Sequence, residues 1–375
     1  MPADSQVPEP GQPDPHPSWG PPPSGWDGQP DVPSGAGPDP AHRFQQPFRQ
    51  PAKPGVIELR PLGFGDLLDA TFAVIRLAPI PTLLNAVLVQ LLPALLALWL
   101  LLPWFTGFEV SLDPGLSSPA EVLQGLERSW PSLAAGFGGY LVVQLLAGVL
   151  VVGPSTVAAM RATLGLRTGW GASLALSSRA MIRLAAWNLL AGAAVLLVLA
   201  LSVAGAVALA RPLGLAAAGI LLVLWLLALL PLYVWLAIKL CFGPVELVAR
   251  SMGIGAAIAS SWRLVRGSWW RILGILLVVG IVLGLLSGLV IQILDVATGQ
   301  FVSGSNAALG VWVGVAAQAV VGALSTVLGQ VMVTLLHVDA RIRHERLDLV
   351  LEAESRTGPP HPIPGHGART IRPPR

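Results

Sequence analysis

Apolar positions along the chain fall into two kinds of run. Six stretches carry no charged side chain: Thr82 to Pro103, Leu133 to Met160, Leu184 to Ala210, Pro212 to Ile238, Ile272 to Leu294 and Ala307 to Leu336. Each is about 20 residues or longer, the length a helix needs to cross roughly 30 Å of hydrocarbon. The second kind is periodic and precedes the first, third and fifth of these spans. Gly63-Phe64-Gly65, Gly169-Trp170-Gly171 and Gly253-Ile254-Gly255 each open such a segment. Counting from the second glycine, apolar residues recur at +3, +7 and +10 in the first copy (Leu68, Phe72, Ile75) and the third (Ile258, Trp262, Val265), which is one face of a helix. The middle copy keeps Leu174 and Met181 with Ser178 between them, and arginines take the opposite faces as Arg76, Arg179, Arg183, Arg263 and Arg266.

This pattern predicts an all-α integral membrane protein with six transmembrane helices. They form three repeats, each a cytoplasmic amphipathic helix in the membrane surface followed by two spans. The amphipathic helices are expected at about 66–78, 172–183 and 256–270, inside a membrane domain covering 55–355. In the connection from Trp104 to Pro131, Ser118-Pro119-Ala120-Glu121 has capping-box spacing, so a short helix from Ser118 to Trp130 is expected at the outer face. Trp99, Trp104 and Trp130 would mark the outer interface.

Composition agrees: 54% hydrophobic with 11% charged residues excludes an ordinary soluble domain. The net charge of +3 says little, but its distribution orients the chain. Of 23 Lys and Arg, only Arg128 and Arg211 fall in the connections after the first and third spans, and none lies between the fifth and sixth. The positive-inside rule then places both termini and the three amphipathic helices on the cytoplasmic side of the cell membrane. Residues 1–54 are rich in Pro and Gly and lack the pattern of a signal peptide, and 356–375 are basic; both tails are expected to be disordered. The single cysteine, Cys241, excludes an internal disulfide and is either an acylation site or a small buried hydrophobe.

Candidate chemistry is sparse. Asp66 and Asp69 suit the positive end of a helix dipole, and their spacing also fits a metal or acid/base pair. Arg179, Arg183, Arg263 and Arg266 would face an anionic inner leaflet, at about 1 kcal/mol for each basic residue near the surface. They are the candidate lipid-headgroup contacts, and obedience to topology alone is the alternative. Gly280, Gly284 and Gly288, with Gly310 and Gly314, form small faces that permit close helix packing, within this chain or with a partner protein. Beyond the last span, Asp339 can reach Arg343 and Arg341 can reach Glu345 at i,i+4 spacing, while His337 and His344 offer too few ligands for a metal. No cofactor, metal or nucleic-acid partner is expected, and the oligomeric state is left open.

The stretches PGVIELRPLGFGDLLDATFAVIR, SWRLVRGSWWRILGILL and VDARIRHERLDLVLE, spread from Pro54 to Glu354, resemble actinobacterial multipass membrane proteins related to the membrane domain of glycerophosphoryl diester phosphodiesterases. The activity known in that wider family belongs to a separate soluble barrel after the membrane part. Only a helix and a tail follow Leu336 here, against the roughly 250 residues a barrel takes. Where the family carries a glycine after the glutamate of the closing segment, this chain has Arg346.

Three functions follow as expectations. The first is a non-enzymatic accessory or organising component acting on membrane lipids or partner proteins. The second is a lipid or small-molecule transporter, for which the spans offer only Asn85, Gln90, Gln144, Asn188, Gln292, Gln318 and Gln330 and hence no ion-coupling residue. The third is an interfacial enzyme built on Asp66, Asp69, Glu246, Asp295 or Asp339. The absence of clustered histidine and carboxylate chemistry favours the first.

Overall fold

The computed structural model of the protein describes residues 53–95, 98, 119–302 and 307–366; the side chains of 119–137, 211, 215, 295, 298–302 and 307–309 are outside that description. Residues 1–52 of the expected N-terminal tail, Trp99, Trp104 and residues 367–375 lie outside it too, and of Trp130 only the backbone is described. Among the described residues every regular element is a helix. These are α1 (Phe64–Leu77), α2 (Ile80–Leu95), α3 (Pro119–Ala162), α4 (Trp170–Leu213), α5 (Leu215–Leu240), α6 (Gly243–Ala249), α7 (Ile254–Val265), α8 (Trp269–Val302), α9 (Ala307–Glu345) and α10 (Leu347–Thr357). Five of them, α3, α4, α5, α8 and α9, are long and apolar enough to cross a membrane, and α1 with α2 makes a sixth if that bent pair is one span.

Helix breaks follow local chemistry. Between α1 and α2 the axis turns by 90°. Pro79 and Pro81 remove two backbone donors there, α2 restarts as a π turn over Ile80–Leu84, and Thr82 Oγ1 donates to the Ala78 carbonyl at 2.6 Å. The amphipathic helix expected over 256–270 ends instead at Val265, because the chain turns through Gly267, whose φ of +90° suits only glycine at no steric cost, before α8 begins at Trp269.

The segment that follows Gly169 lacks such a device. The separate amphipathic helix expected over 172–183 is instead the start of α4, one unbroken helix of 44 residues. No proline or glycine stands between Ser173 and Ala191 to stop it. At about 66 Å, from 1.5 Å per residue, α4 is roughly twice the hydrocarbon thickness, so its first turns project beyond the apolar layer. The short outer helix expected from Ser118 to Trp130 is likewise absorbed: it begins at Pro119 and continues through Pro131 into the span as α3. The basic tail expected to be disordered from 356 is ordered as far as His366, with Ile363 buried.

Packing is uneven along the bundle. The apolar windows of α4 and α5 have no residue buried inside the chain and that of α8 has 6%, against 50% in α3 and 39% in α9. The compact core sits at one end, where Ile57, Leu67, Met160, Phe242, Leu264 and Leu335 are buried together. Polar residues within the spans join helices to one another. Asn85 donates to the Leu150 carbonyl at 2.6 Å and accepts from Trp170 Nε1 at 3.0 Å, tying α2, α3 and α4. Asn188 bonds the Leu145 carbonyl at 2.9 Å, and Gln330 reaches Thr156 at 3.1 Å. Each satisfies a polar group that lipid could not.

Candidate functional site

The charged residues of the closing segment converge on the packed end of the bundle. The i,i+4 pairs on α9 form as the spacing predicts, with Arg343 Nε at 3.0 Å from Asp339 and Arg341 Nε at 2.9 Å from Glu345. They are not the exposed pairs of a helix extending into solvent, because Asp339 and Arg341 are fully buried.

Asp339 is the anchor of the lead-in segment. Its carboxylate accepts from the Leu62 amide at 2.7 Å, from Arg271 Nη1 of α8 at 2.6 Å and from Arg343. Both arginines also donate to the Leu62 carbonyl, at 2.8 and 3.1 Å. The lead-in segment, α8 and α9 are thus joined by one buried charge with its lone pairs used.

A second group surrounds Glu345, which contacts Arg341, Arg250 at 3.3 Å and Arg263 at 3.5 Å. A third lies deeper. Glu246 of α6 accepts from Ser260 Oγ of α7 at 2.8 Å and faces His337 Nε2 at 3.2 Å, a close contact without hydrogen-bond alignment. Serine, carboxylate and histidine meet here, but not in nucleophile order. The hydroxyl donates to the carboxylate rather than to the imidazole, and all three are shut off from solvent. This geometry locks α6, α7 and α9 together and offers a substrate no approach. His344, seven residues from His337, points to solvent instead of joining it.

The ordered part of the tail closes over this end. Arg161 of α3 donates to the Pro362 carbonyl at 2.8 Å, Arg341 to the Gly365 carbonyl at 3.2 Å, and the Gly365 amide donates to Glu354 at 2.9 Å. The Ile363 amide donates to His361 Nδ1 at 3.1 Å, which requires that nitrogen to be unprotonated. His361 and His366 stack at 3.8 Å, and His366 Nδ1 lies 2.8 Å from the Ala249 carbonyl. Burial of His361, then the neighbouring His366, pushes its imidazole below the usual histidine value. Burial pushes the Glu354 carboxyl up, partly offset by the Gly365 amide and Arg341.

The four candidate headgroup arginines divide. Arg183 is committed to the fold: it caps the carbonyls of Ser251, a left-handed residue, and of Met252 at 2.8 Å. Arg263 contacts Glu345 and Ser260 with its side chain 60% exposed. Arg179 and Arg266 are exposed, Arg179 near His361. Apolar side chains open to the surroundings are Ile182 on α4, three residues from Arg179, Ile258 and Trp262 on α7, which ends at Arg266, Trp270 on α8, and Phe64 and Phe72 on α1. Trp262 is held edge-on to Trp235 at 5.2 Å, under Lys239 at 5.1 Å.

A cleft of about 580 Å³ opens between α4 and α5, lined by Leu201, Gly205, Leu209, Leu221 and Trp225 among others. Its main polar feature is Ser202, occupied by Trp225 Nε1 at 3.1 Å.

Sequence reasoning did not bring Glu246, Ser260 and His337 together, nor the tail histidines onto Ala249. The signal available for the first was a lone glutamate inside the apolar run FGPVELVA, where an unpaired charge would be costly. No protein-family model, curated protein or solved structure matches the chain.

Proposed function

We propose that the chain is a non-enzymatic multipass protein of the cell membrane, with both termini cytoplasmic, that organises membrane lipids or partner proteins through the packed, charged end of its bundle. The observation that carries this reading is the surface of that end. That end exposes Arg179 on α4 and Arg266 at the C-cap of α7 together with outward-facing Ile182 on α4, Trp262 on α7 and Trp270 on α8, the combination that suits headgroup depth.

The same reading includes three repeated units. What supports it is a shared burial register: Leu67, Ser173 and Ala257 are buried at one position, Thr71, Ser177 and Ser261 at the next, and Val74, Ala180 and Leu264 at a third. A hydroxyl recurs at the middle position. Each copy also packs on the end of the unit before it, α1 on α9, the start of α4 on α3, and α7 on α5 and α6, as a closed pseudo-threefold ring would. Kinship with the resembled phosphodiesterase membrane domains belongs to the proposal too. In its favour, position 346, where that family carries glycine, has the left-handed φ of 54°.

The test is reconstitution of the full chain into nanodiscs of phosphatidylcholine doped with phosphatidylglycerol, followed by native mass spectrometry of the lipids retained. The expected result is enrichment of the anionic lipid that falls severalfold in the double variant Arg179→Gln, Arg266→Gln. Equal retention by wild type and variant would remove the basis of the reading.

A second reading, passive lipid movement, is favoured by the apolar cleft between α4 and α5, whose size and lining suit an acyl chain. It requires accelerated flipping of a fluorescent phospholipid in vesicles containing the protein. It fails if flipping matches empty vesicles, or if filling the cleft with Gly205→Leu leaves an accelerated rate unchanged.

A further inference from the structure

A second cavity lies on the same end of the bundle, and neither Arg179 nor Arg266 lines it. It holds about 300 Å³ between the lead-in segment and α1. Charged residues of both signs line it: Lys53 and Glu58 from the segment, and Asp66, Asp69 and Arg76 from α1. The helical residues fall at i, i+3 and i+10, with Ala73 at i+7, so one face of α1 forms the wall. Val56, Ile57, Leu62 and Ala70 form the apolar part.

Three features of this cavity define a ligand. The first is charge balance. Arg60 pairs with two of the lining carboxylates, 2.5 Å from Glu58 and 3.1 Å from Asp66; counting it, three cations stand against three carboxylates. A net anion or a net cation gains nothing overall from such a lining, whereas a molecule with both charges can meet both signs. Asp66 lies in the first turn of α1, Asp69 in the second and Arg76 in the last, so the two signs are separated along this helix.

The second feature is depth. The neighbouring face of α1 carries Phe64, Leu68, Phe72 and Ile75, and Phe64 and Phe72 are exposed. A polar cavity beside an outward apolar stripe, on a helix that turns by 90° into a candidate span, opens where lipid tails give way to headgroups. The third is the kind of cation admitted. No aromatic side chain lines the cavity, so it lacks the cage that holds a quaternary ammonium, while Asp69 is an exposed carboxylate free to accept from a primary one. Asp66 is partly occupied, since it also caps the Gly63 amide at 2.9 Å.

We propose that this cavity binds a zwitterion joining a primary ammonium to a phosphate, the ammonium on Asp69 and Asp66 and the phosphate on Arg76 and Lys53. That chemistry occurs in the headgroup of phosphatidylethanolamine and in free phosphoethanolamine. The site is separate from the arginine surface proposed above and does not depend on it.

The full chain would be reconstituted in nanodiscs of equal phosphatidylethanolamine and phosphatidylcholine, and retained lipid counted by native mass spectrometry after detergent washing. Wild type is expected to keep one phosphatidylethanolamine in about tenfold preference over phosphatidylcholine. Asp69→Asn and Arg76→Gln, both exposed positions, should abolish the preference while thermal midpoints stay within a few degrees of wild type. Millimolar phosphoethanolamine displacing the lipid would assign the site to the free zwitterion, and failure to displace it to the lipid; either supports the proposal. No preference in wild type, or a preference untouched in both folded variants, overturns it. A preference lost in the Arg179/Arg266 double variant instead would also overturn it while leaving the earlier reading standing.

Discussion

Asp339→Ala is the sharpest perturbation of the packed end. The wild-type carboxylate is fully buried and accepts from Arg271, Arg343 and the Leu62 amide. Removing one partner of a buried ion pair costs about 3–5 kcal/mol, because the remaining charges lose compensation. Here the arginine side chains are 33% and 35% exposed and can turn toward water, so the lower end applies to them. The Leu62 amide, by contrast, sits in a buried residue and is left without its acceptor, which alone is worth about 1–3 kcal/mol. A total near 3 kcal/mol shifts the local opening equilibrium by roughly a hundredfold. Hydrogen exchange of the peptide containing Leu62 reads this directly, and thiol labelling of Cys241 at the C-cap of α5 reports whether opening spreads across the end. Asp339→Asn, which retains one acceptor oxygen for Leu62, should fall between wild type and alanine. Exchange at Leu62 within threefold of wild type in the alanine variant would refute the anchoring role.

Docking of the ordered tail depends on neutral His361. Its value is depressed below the ordinary 6.5, so its contribution is present above about pH 6.5 and lost as the pH falls through the folded value. Glu354, raised above 4.5 by burial, has the opposite sign, contributing below 4.5 and less as the pH rises through its folded value. Amide protection of Ile363, corrected for intrinsic exchange, should therefore drop between pH 7.5 and 5.5, and His361→Asn should flatten that drop; protection independent of pH contradicts it. Arg346 breaks α9 from α10 in a left-handed conformation, with its side chain 66% exposed, so Arg346→Gly should stabilise by about 1 kcal/mol, read as a raised thermal midpoint; a lower midpoint counts against it. Among the described residues the glycine face of α8 meets no neighbour: a Cβ at Gly280, Gly284 or Gly288 would find no heavy atom within 4 Å. Gly284→Ala should leave the melting of the isolated chain unchanged or slightly raised, and a drop of several degrees would mean that the face is packed.

The sequence was most informative where one residue type governs the outcome. Spans of apolar residues were legible, because a missing charge acts locally, whereas the bend at Pro79 and Pro81 was not singled out and the turn at Gly267 falls inside the stretch 256–270 expected as one helix. The middle copy misled. Its glycine signature marks a helix start at Trp170, but a repeat predicts a helix end only if it also repeats the breaker, and nothing between Ser173 and Ala191 supplies one. The i,i+4 pairs at Asp339 and Arg341 were readable as pairs but not as buried ones. Their burial comes from Leu62 and Gly365, 277 and 24 residues distant in the respective contacts. The same limit hid the Glu246, Ser260 and His337 cluster. The tail reads as disordered by composition, yet Pro362 and Gly365 serve it by carbonyl and amide, groups that composition does not register.

The most direct test of the account is native mass spectrometry of the protein extracted from its own membrane with minimal delipidation. Action on lipids through the charged end predicts stoichiometric lipid on the full chain, reduced by changes at Arg179 and Arg266. A chain that emerges free of lipid and of any partner protein, with both arginines intact, would contradict it.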